Sequence, residues 1–291
     1  MTDLMPAAGE LGPPGAQAWR MFFRNRAAVF GLVMLIVIIV MTVLGPLLYT
    51  QDPSDIIARP LQGPGSEDVP RLGTDYLGRD VLAGVINGGS ASLTVALVAV
   101  LLIVVIGVTI GALAGFYGGW IDNALMRFTE LFQVLPALLF AMVIVALFEP
   151  TSMTVAAAIG LAAWPQTARL TRAEFLRLKN LEFVKAARAI GASDFRIIWR
   201  VIFPNALPPL IVAITLVMGA AILFEAGLAF LGLGDPNTVS WGQMIGLNRR
   251  DFLNAWWTVT FPGLAIFATV LSFSLIGDGL QDAFNPKLRG R

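Results

Sequence analysis

The sequence predicts an all-α membrane protein with six transmembrane helices. Three observations predict it. Of 291 residues, 57% are hydrophobic and only 13% are charged, where a soluble domain carries roughly 25% charged residues. The mean hydropathy is +0.76. Charge-free runs recur along the chain at about the 20 residues that a helix needs to cross the hydrocarbon core.

The elements follow in chain order. Residues 1–19 begin with a Pro-, Gly- and Ala-rich stretch and predict a disordered cytoplasmic tail. Residues 20–48 form the first transmembrane helix: Arg20, Arg24 and Arg26 flank the charge-free run Ala27–Leu48. That run is too long for a signal-peptide core, and no small-x-small cleavage site follows it. Residues 49–91 predict an extracytoplasmic loop, broken by Pro53, Pro60, Pro64 and Pro70. Residues 92–280 hold five further spans, at Ser92–Phe116, Leu131–Phe148, Thr151–Ala168, Val201–Phe224 and Phe252–Gly277. Glu149-Pro150 joins two of them in a tight hairpin. A short helix is expected near Trp241–Leu247, and residues 281–291 form a second cytoplasmic tail.

Lys and Arg set the orientation, because they accumulate on the cytoplasmic side. With the N-terminus inside, fifteen of the 20 basic residues lie inside; Arg59, Arg71, Arg79, Arg249 and Arg250 lie outside. Both termini are therefore expected in the cytoplasm of a multi-pass protein surrounded by membrane lipids.

Composition also excludes functions. A net charge of +1 argues against nucleic acid as a partner. The chain has no Cys and no His, which removes thiolate chemistry, the commonest transition-metal ligands and the usual base near neutral pH. No Gly-x-x-x-x-Gly-Lys-Ser/Thr phosphate loop occurs. The chain is expected to be non-catalytic and to need no cofactor of its own.

The inner loop 171–204 carries the densest charge. It reads as two short helices around Gly191. Phe183, Ala186, Ala187 and Ile190 share one apolar face, and Phe195, Ile198, Trp199 and Ile202 share another. Gly191 suits a left-handed cap, Ser193 an N-cap, and Asp194 the first turn that follows. Small residues at Ala186, Ala187, Gly191 and Ala192 permit close approach of a partner. On periodicity alone, the segment fits a docking element and an ordinary loop lying on headgroups equally well.

Four other features stand out. Gly107, Gly111 and Gly115 share one helix face and allow close packing, favoured within the subunit over a contact with a second one. Glu225 sits toward the outer end of the fifth span. It fits a pathway or gate group, or a structural hydrogen-bonding one, and the second fits better. In Leu72–Leu82, Arg79 is expected to pair with a carboxylate in a turn network. Trp241, Trp256 and Trp257 suit interfacial anchors.

The inner loop resembles the EAA loop of ABC-importer permeases: Ala186-Ala187, three residues, Gly191, nine residues, then Val201-Ile-Phe-Pro204, with Lys185 where the pattern has Glu. Further segments resemble the C-type permeases of dipeptide, oligopeptide and nickel importers. They are Leu72–Leu82, Gly115–Asp122 with Met126-Arg127, Glu225–Gly234, Trp241–Met244, Ala255–Trp257, Phe261–Ile266 and Gly277–Asp282 before Asn285-Pro286. The resemblance implies the type I importer (MetI-like) fold, a bacterial inner-membrane location and a coupling helix over Glu182–Arg200. It assigns ATPase coupling to Glu182, Lys185, Ala186, Ala187, Gly191, Ala192, Ser193, Asp194 and Arg196. It implies a second homologous permease, two ATPase subunits holding ATP and Mg, and an extracytoplasmic solute-binding protein. The expected cargo is a di- or oligopeptide, with a nickel chelate or another peptide-like solute as the alternative. A stand-alone secondary transporter fits less well, because no internal repeat is visible.

Overall fold

The computed structural model describes residues 14–65 and 69–284. Helix α1, Pro14–Arg24, meets α2, Arg26–Leu48, at Asn25, whose side chain caps α2 by accepting from the N–H groups of Ala27 and Ala28. An outer loop leads to α3, Val81–Tyr117. Then come α4, Gly119–Gln133; α5, Ala137–Leu147; and α6, Ser152–Lys179. The inner segment contains α7, Glu182–Ala189, and α8, Asp194–Arg196. A π-helical turn, Ile197–Ile202, runs straight into α9, Phe203–Phe230. The chain closes with α10, Trp241–Asn248, and α11, Trp257–Phe284.

Four helical stretches are long and apolar enough to cross a membrane: α2, α3, the continuous run Asp194–Phe230, and α11. The pair α4 and α5, bent by 78°, is a fifth when counted as one broken span. The expected third span, Leu131–Phe148, is therefore not one straight helix. Pro136 has no N–H to donate and stands at the break as the N-cap of α5. At 28 residues α6 is long enough to cross, but it is less apolar than the others. Much of it faces protein instead of lipid, so it is built of Ala, Gly and Thr.

Three expected boundaries shift. Helix α3 starts at Val81, not Ser92, because Asp80 caps it by accepting from Leu82 N–H at 2.7 Å. The outer loop thus ends at residue 80, short of the expected 91. Residues 14–19 of the expected tail belong to α1, while 1–13 lie outside the described residues. Helix α11 runs to Phe284, and the rest of the expected C-terminal tail, 285–291, also lies outside them.

The core is built on α3 and α6. The glycine face of α3 meets α6 backbone to backbone. A Cβ on Gly111 would stand 2.3 Å from Ala168 O, and one on Gly115 would stand 2.7 Å from Arg172 O. The glycines therefore pack inside the subunit. Helix α11 packs on α2 and α9. Phe22 of α1, buried with Ala28 and Ala283, ties the first helix to the last.

The outer loop is held by polar contacts. Tyr49 donates its hydroxyl to Asp80. Burial, the hydrogen bond and the carboxylate charge push the Tyr49 phenol up to about 12. Arg79 forms no ion pair among the described residues, contrary to the expected pairing; its Nε is buried without a partner there. The carboxylate of Asp75 instead takes the Leu77 and Arg79 N–H groups, at 2.8 and 2.9 Å. Of the three tryptophans expected as interfacial anchors, Trp241 and Trp257 are buried and only Trp256 is exposed. Both buried indoles donate to carbonyls, Trp241 to Val85 O at 2.8 Å and Trp257 to Thr74 O at 3.1 Å.

Candidate functional site

The segment between α6 and α9 is seated on a locked stem. Arg172 of α6 makes a forked ion pair with Asp122 of α4, with Nη2–Oδ2 at 2.6 Å. Lys179 Nζ donates to Phe116 O at 2.8 Å, and so caps the C-terminal end of α3. Charge at a helix C-terminus is stabilising when positive. Beneath the segment lies its own apolar core, in which Phe175, Val184, Ile197 and Ile202 are almost fully buried. Val184 is the nail that holds α7 down.

The turn between the short helices follows local chemistry. Gly191 takes φ +83°, the left-handed conformation that costs a side chain least when there is none. Its N–H donates to Arg188 O at 3.0 Å, and Ala192 N–H reaches back to Ala187 O at 3.1 Å. These bonds occupy carbonyls that the end of α7 leaves open. Ser193 Oγ then accepts from Arg196 N–H at 3.4 Å and starts α8.

The nine residues expected here come together on the one segment between α6 and α9. Glu182, Lys185, Ala186, Gly191, Ser193, Asp194 and Arg196 are exposed, and Ala187 and Ala192 are half-buried against the small core. Lys185 Nζ bonds Glu182 Oε1 at 2.8 Å across one turn. The apolar faces differ from expectation. Ile198 and Ile202 point inward, but Ile190 is 86% exposed and Phe195 73% exposed. Phe183 and Trp199 are exposed as well. Phe195, Trp199 and Phe203 form an aromatic ladder, with ring centroids 6.3 and 5.1 Å apart. Sequence spacing alone cannot separate these faces, since both repeat at three to four residues. The anchors Val184 and Ile197 were missed because each lies one place off the pattern.

Glu225 lies elsewhere, in the C-terminal half of α9, and is only 3% exposed. Its carboxyl faces the Ser240 and Ser92 side chains. Ser240 Oγ accepts from Gln243 N–H at 3.2 Å, and Ser92 Oγ from Trp241 N–H at 3.3 Å. Each hydroxyl keeps its proton to donate toward the carboxyl. A Cβ on Gly242 would stand 2.5 Å from Ala226 Cα, so α10 presses directly on α9. Glu225 thus stands where α3, α9 and the start of α10 meet.

Comparison with known proteins shows the family. The family described as binding-protein-dependent transport system inner membrane component matches residues 107–290. The N-terminal transmembrane domain of oligopeptide transport permease C matches residues 13–64. The dipeptide transport system permease protein DppC of Escherichia coli K12 is 41% identical, over 95% of this chain and 94% of that protein. Its namesake from Alkalihalophilus pseudofirmus is 38% identical, over 95% and 91%. Among solved structures, a chain of the MetNI methionine ABC transporter in an inward-facing conformation has a TM-score of 0.57 at 17% identity, over 69% of this chain and 97% of that one; at that identity it speaks for the fold alone. A helical bundle built on α3 and α6, with a seated and partly apolar inner segment, here joins a family match over most of the chain: this protein belongs to the binding-protein-dependent transport system inner membrane components.

Proposed function

We propose that this chain is a permease subunit of an ATP-driven importer for di- or oligopeptides. The observation that carries it is the segment Glu182–Arg200, which is anchored from below by Val184 and Ile197 while Ile190 and Phe195 stand out into water. Large exposed apolar groups on a rigid seat mark a protein-contact surface. The dipeptide permeases above supply the substrate class.

In this reading α6 is the sixth span, and both termini and the segment 171–204 are cytoplasmic. A second homologous permease completes the passage. Two ATPase subunits, which hold ATP and Mg, dock on Glu182–Arg200, and a solute-binding protein delivers peptide from outside. Closure of the ATPase pair pushes the segment, and the push travels along the uninterrupted helix Asp194–Phe230. The passage then alternates between outward and inward access.

The test is purification of the chain from native membrane in a mild detergent, followed by identification of what it retains. Wild type is expected to retain a second permease and ATPase subunits. Ile190→Glu with Phe195→Glu is expected to lose the ATPase subunits and keep the permease. Retention of both by the variant would sink the docking role. Recovery of wild type alone would sink the importer reading.

A further inference from the structure

A cavity of about 290 Å³ opens beside the break between α4 and α5. This is close to the lower end of the roughly 300–1,000 Å³ typical of small-ligand sites. Its walls come from α3, α6 and α9 as well as the break itself, and no charged side chain lines it. Two polar side chains do: Gln133, the last residue of α4, and Gln166 of α6. Arg169 Nη1 donates to Gln133 Oε1 at 3.2 Å, which leaves the Gln133 NH2 group free. The Gln166 side chain has no hydrogen-bond partner among the described residues.

The break adds main-chain groups to the same wall. Helix α5 starts without a side-chain cap, so N–H groups of its first turn and carbonyls of the last turn of α4 lack helical partners. Irregular backbone at membrane depth is tolerated where it lines a cavity, and secondary transporters build their solute sites from discontinuous helices. A second cavity, of about 460 Å³, lies between α4 and α6, shares Gln133 with the first, and carries Arg127, Glu130 and Arg169. The two spaces adjoin. Together they lead from the helix break along α4 to the charged stretch of Arg127, Glu130, Arg169 and Arg172.

We propose that these adjoining cavities are this subunit's wall of the solute passage, and that Gln133 and Gln166 hold the main chain of the passing peptide. The assignment rests on the importer reading above. A peptide bond offers one donor and one acceptor, and a carboxamide offers both in return. That match holds whatever the side chains are. The surrounding Ala, Pro, Ile and Phe surfaces take apolar side chains without demanding a particular one. A lone ion would find no countercharge in the upper cavity.

The test uses the complex purified with its native partners, placed in proteoliposomes and supplied with Ala-Ala and the binding protein. Gln133→Leu with Gln166→Leu is expected to cut Ala-Ala uptake about tenfold, from the loss of one or two hydrogen bonds. Binding-protein-stimulated ATP hydrolysis is expected to stay within about twofold, so more ATP is spent per peptide. Uptake unchanged from wild type would overturn the assignment. A complex that fails to assemble with both changes is replaced by the single variant Gln166→Cys. The natural chain has no Cys, so labelling of this chain by a water-soluble thiol reagent reports that position. Ala-Ala under turnover is expected to slow the labelling, and an unchanged rate would overturn the assignment. A wild-type complex that takes up no Ala-Ala would overturn the importer reading itself, whereas wild-type uptake with indifferent variants overturns the passage wall alone.

Discussion

Gly111 shows how much one missing side chain decides. Its α-carbon sits against the Ala168 carbonyl and the Thr171 side chain, which a Cβ would meet at 2.3 and 2.6 Å. Gly111→Val is expected to force α3 and α6 apart at a cost of about 1–3 kcal/mol, read as a lower melting temperature in detergent. An unchanged melting temperature would show that the two helices repack freely. The glycine face was legible in the sequence because spacing by four residues is a property of one helix. Glu225 was legible only as a carboxylate in an apolar run. Its neighbour Ser92 lies far away along the chain and Ser240 across a loop from it, and nothing local announces either.

At the scale of elements, one cap was legible and the helix breaks were not. Ser193 caps its helix as expected, whereas Asn25, Asp80 and Ser240 cap theirs at places the sequence reading passed over. Pro136 was passed over for a physical reason: Pro46, Pro165, Pro208, Pro209 and Pro262 all sit inside helices of this chain. A proline in a membrane helix therefore marks a break only when its neighbours leave room for one. The loop between α9 and α10 is tied to the start of α6 by Asp235 Oδ2, which accepts from Ser152 N–H at 2.9 Å and Ser152 O–H at 2.8 Å. Burial pushes the Asp235 carboxyl up, but hydrogen bonds from Asn237 and Ser152 outweigh it and hold the group below the usual carboxylate range. A depressed carboxylate stabilises the fold fully above its unfolded value of about 3.9 and loses that stabilisation as pH falls through the native value. Amide exchange at the start of α6 is accordingly expected to show no Asp235-dependent change between about pH 7 and 5, and added opening only below about pH 4. Asp235→Asn should abolish that acid step; an identical acid profile in the variant would refute the tie.

At the scale of the whole molecule, the first and last described helices close on each other. Phe22 is buried among Ala28, Ala283 and the backbone of Gly279, where a Cβ would meet Ala28 Cβ at 2.2 Å. Phe22→Ala is expected to cost about 3–5 kcal/mol, seen as early unfolding in a detergent melt. A melt like that of wild type would mean that α1 adds nothing to the bundle. Residues 1–19 read as a tail because composition argues for disorder and is silent about docking. The helical fold class and the membrane character were legible. The anchors Val184 and Ile197 that seat the segment, and the side chains that face outward on it, were not, since exposure depends on packing between elements that no single stretch of sequence records.

The π-helical turn at Ile197–Ile202 has a consequence for angular phase. It sits between the exposed Phe195 and the body of α9, and a π turn holds one residue more than an α turn. One residue corresponds to about 100° of rotation around a helix. The compass bearing of Phe195 relative to the membrane-embedded part of the same helix is therefore set by a single supernumerary residue. Winding the same residues as a regular α-helix, with none removed, would aim Phe195 about a quarter-turn away from where it now points.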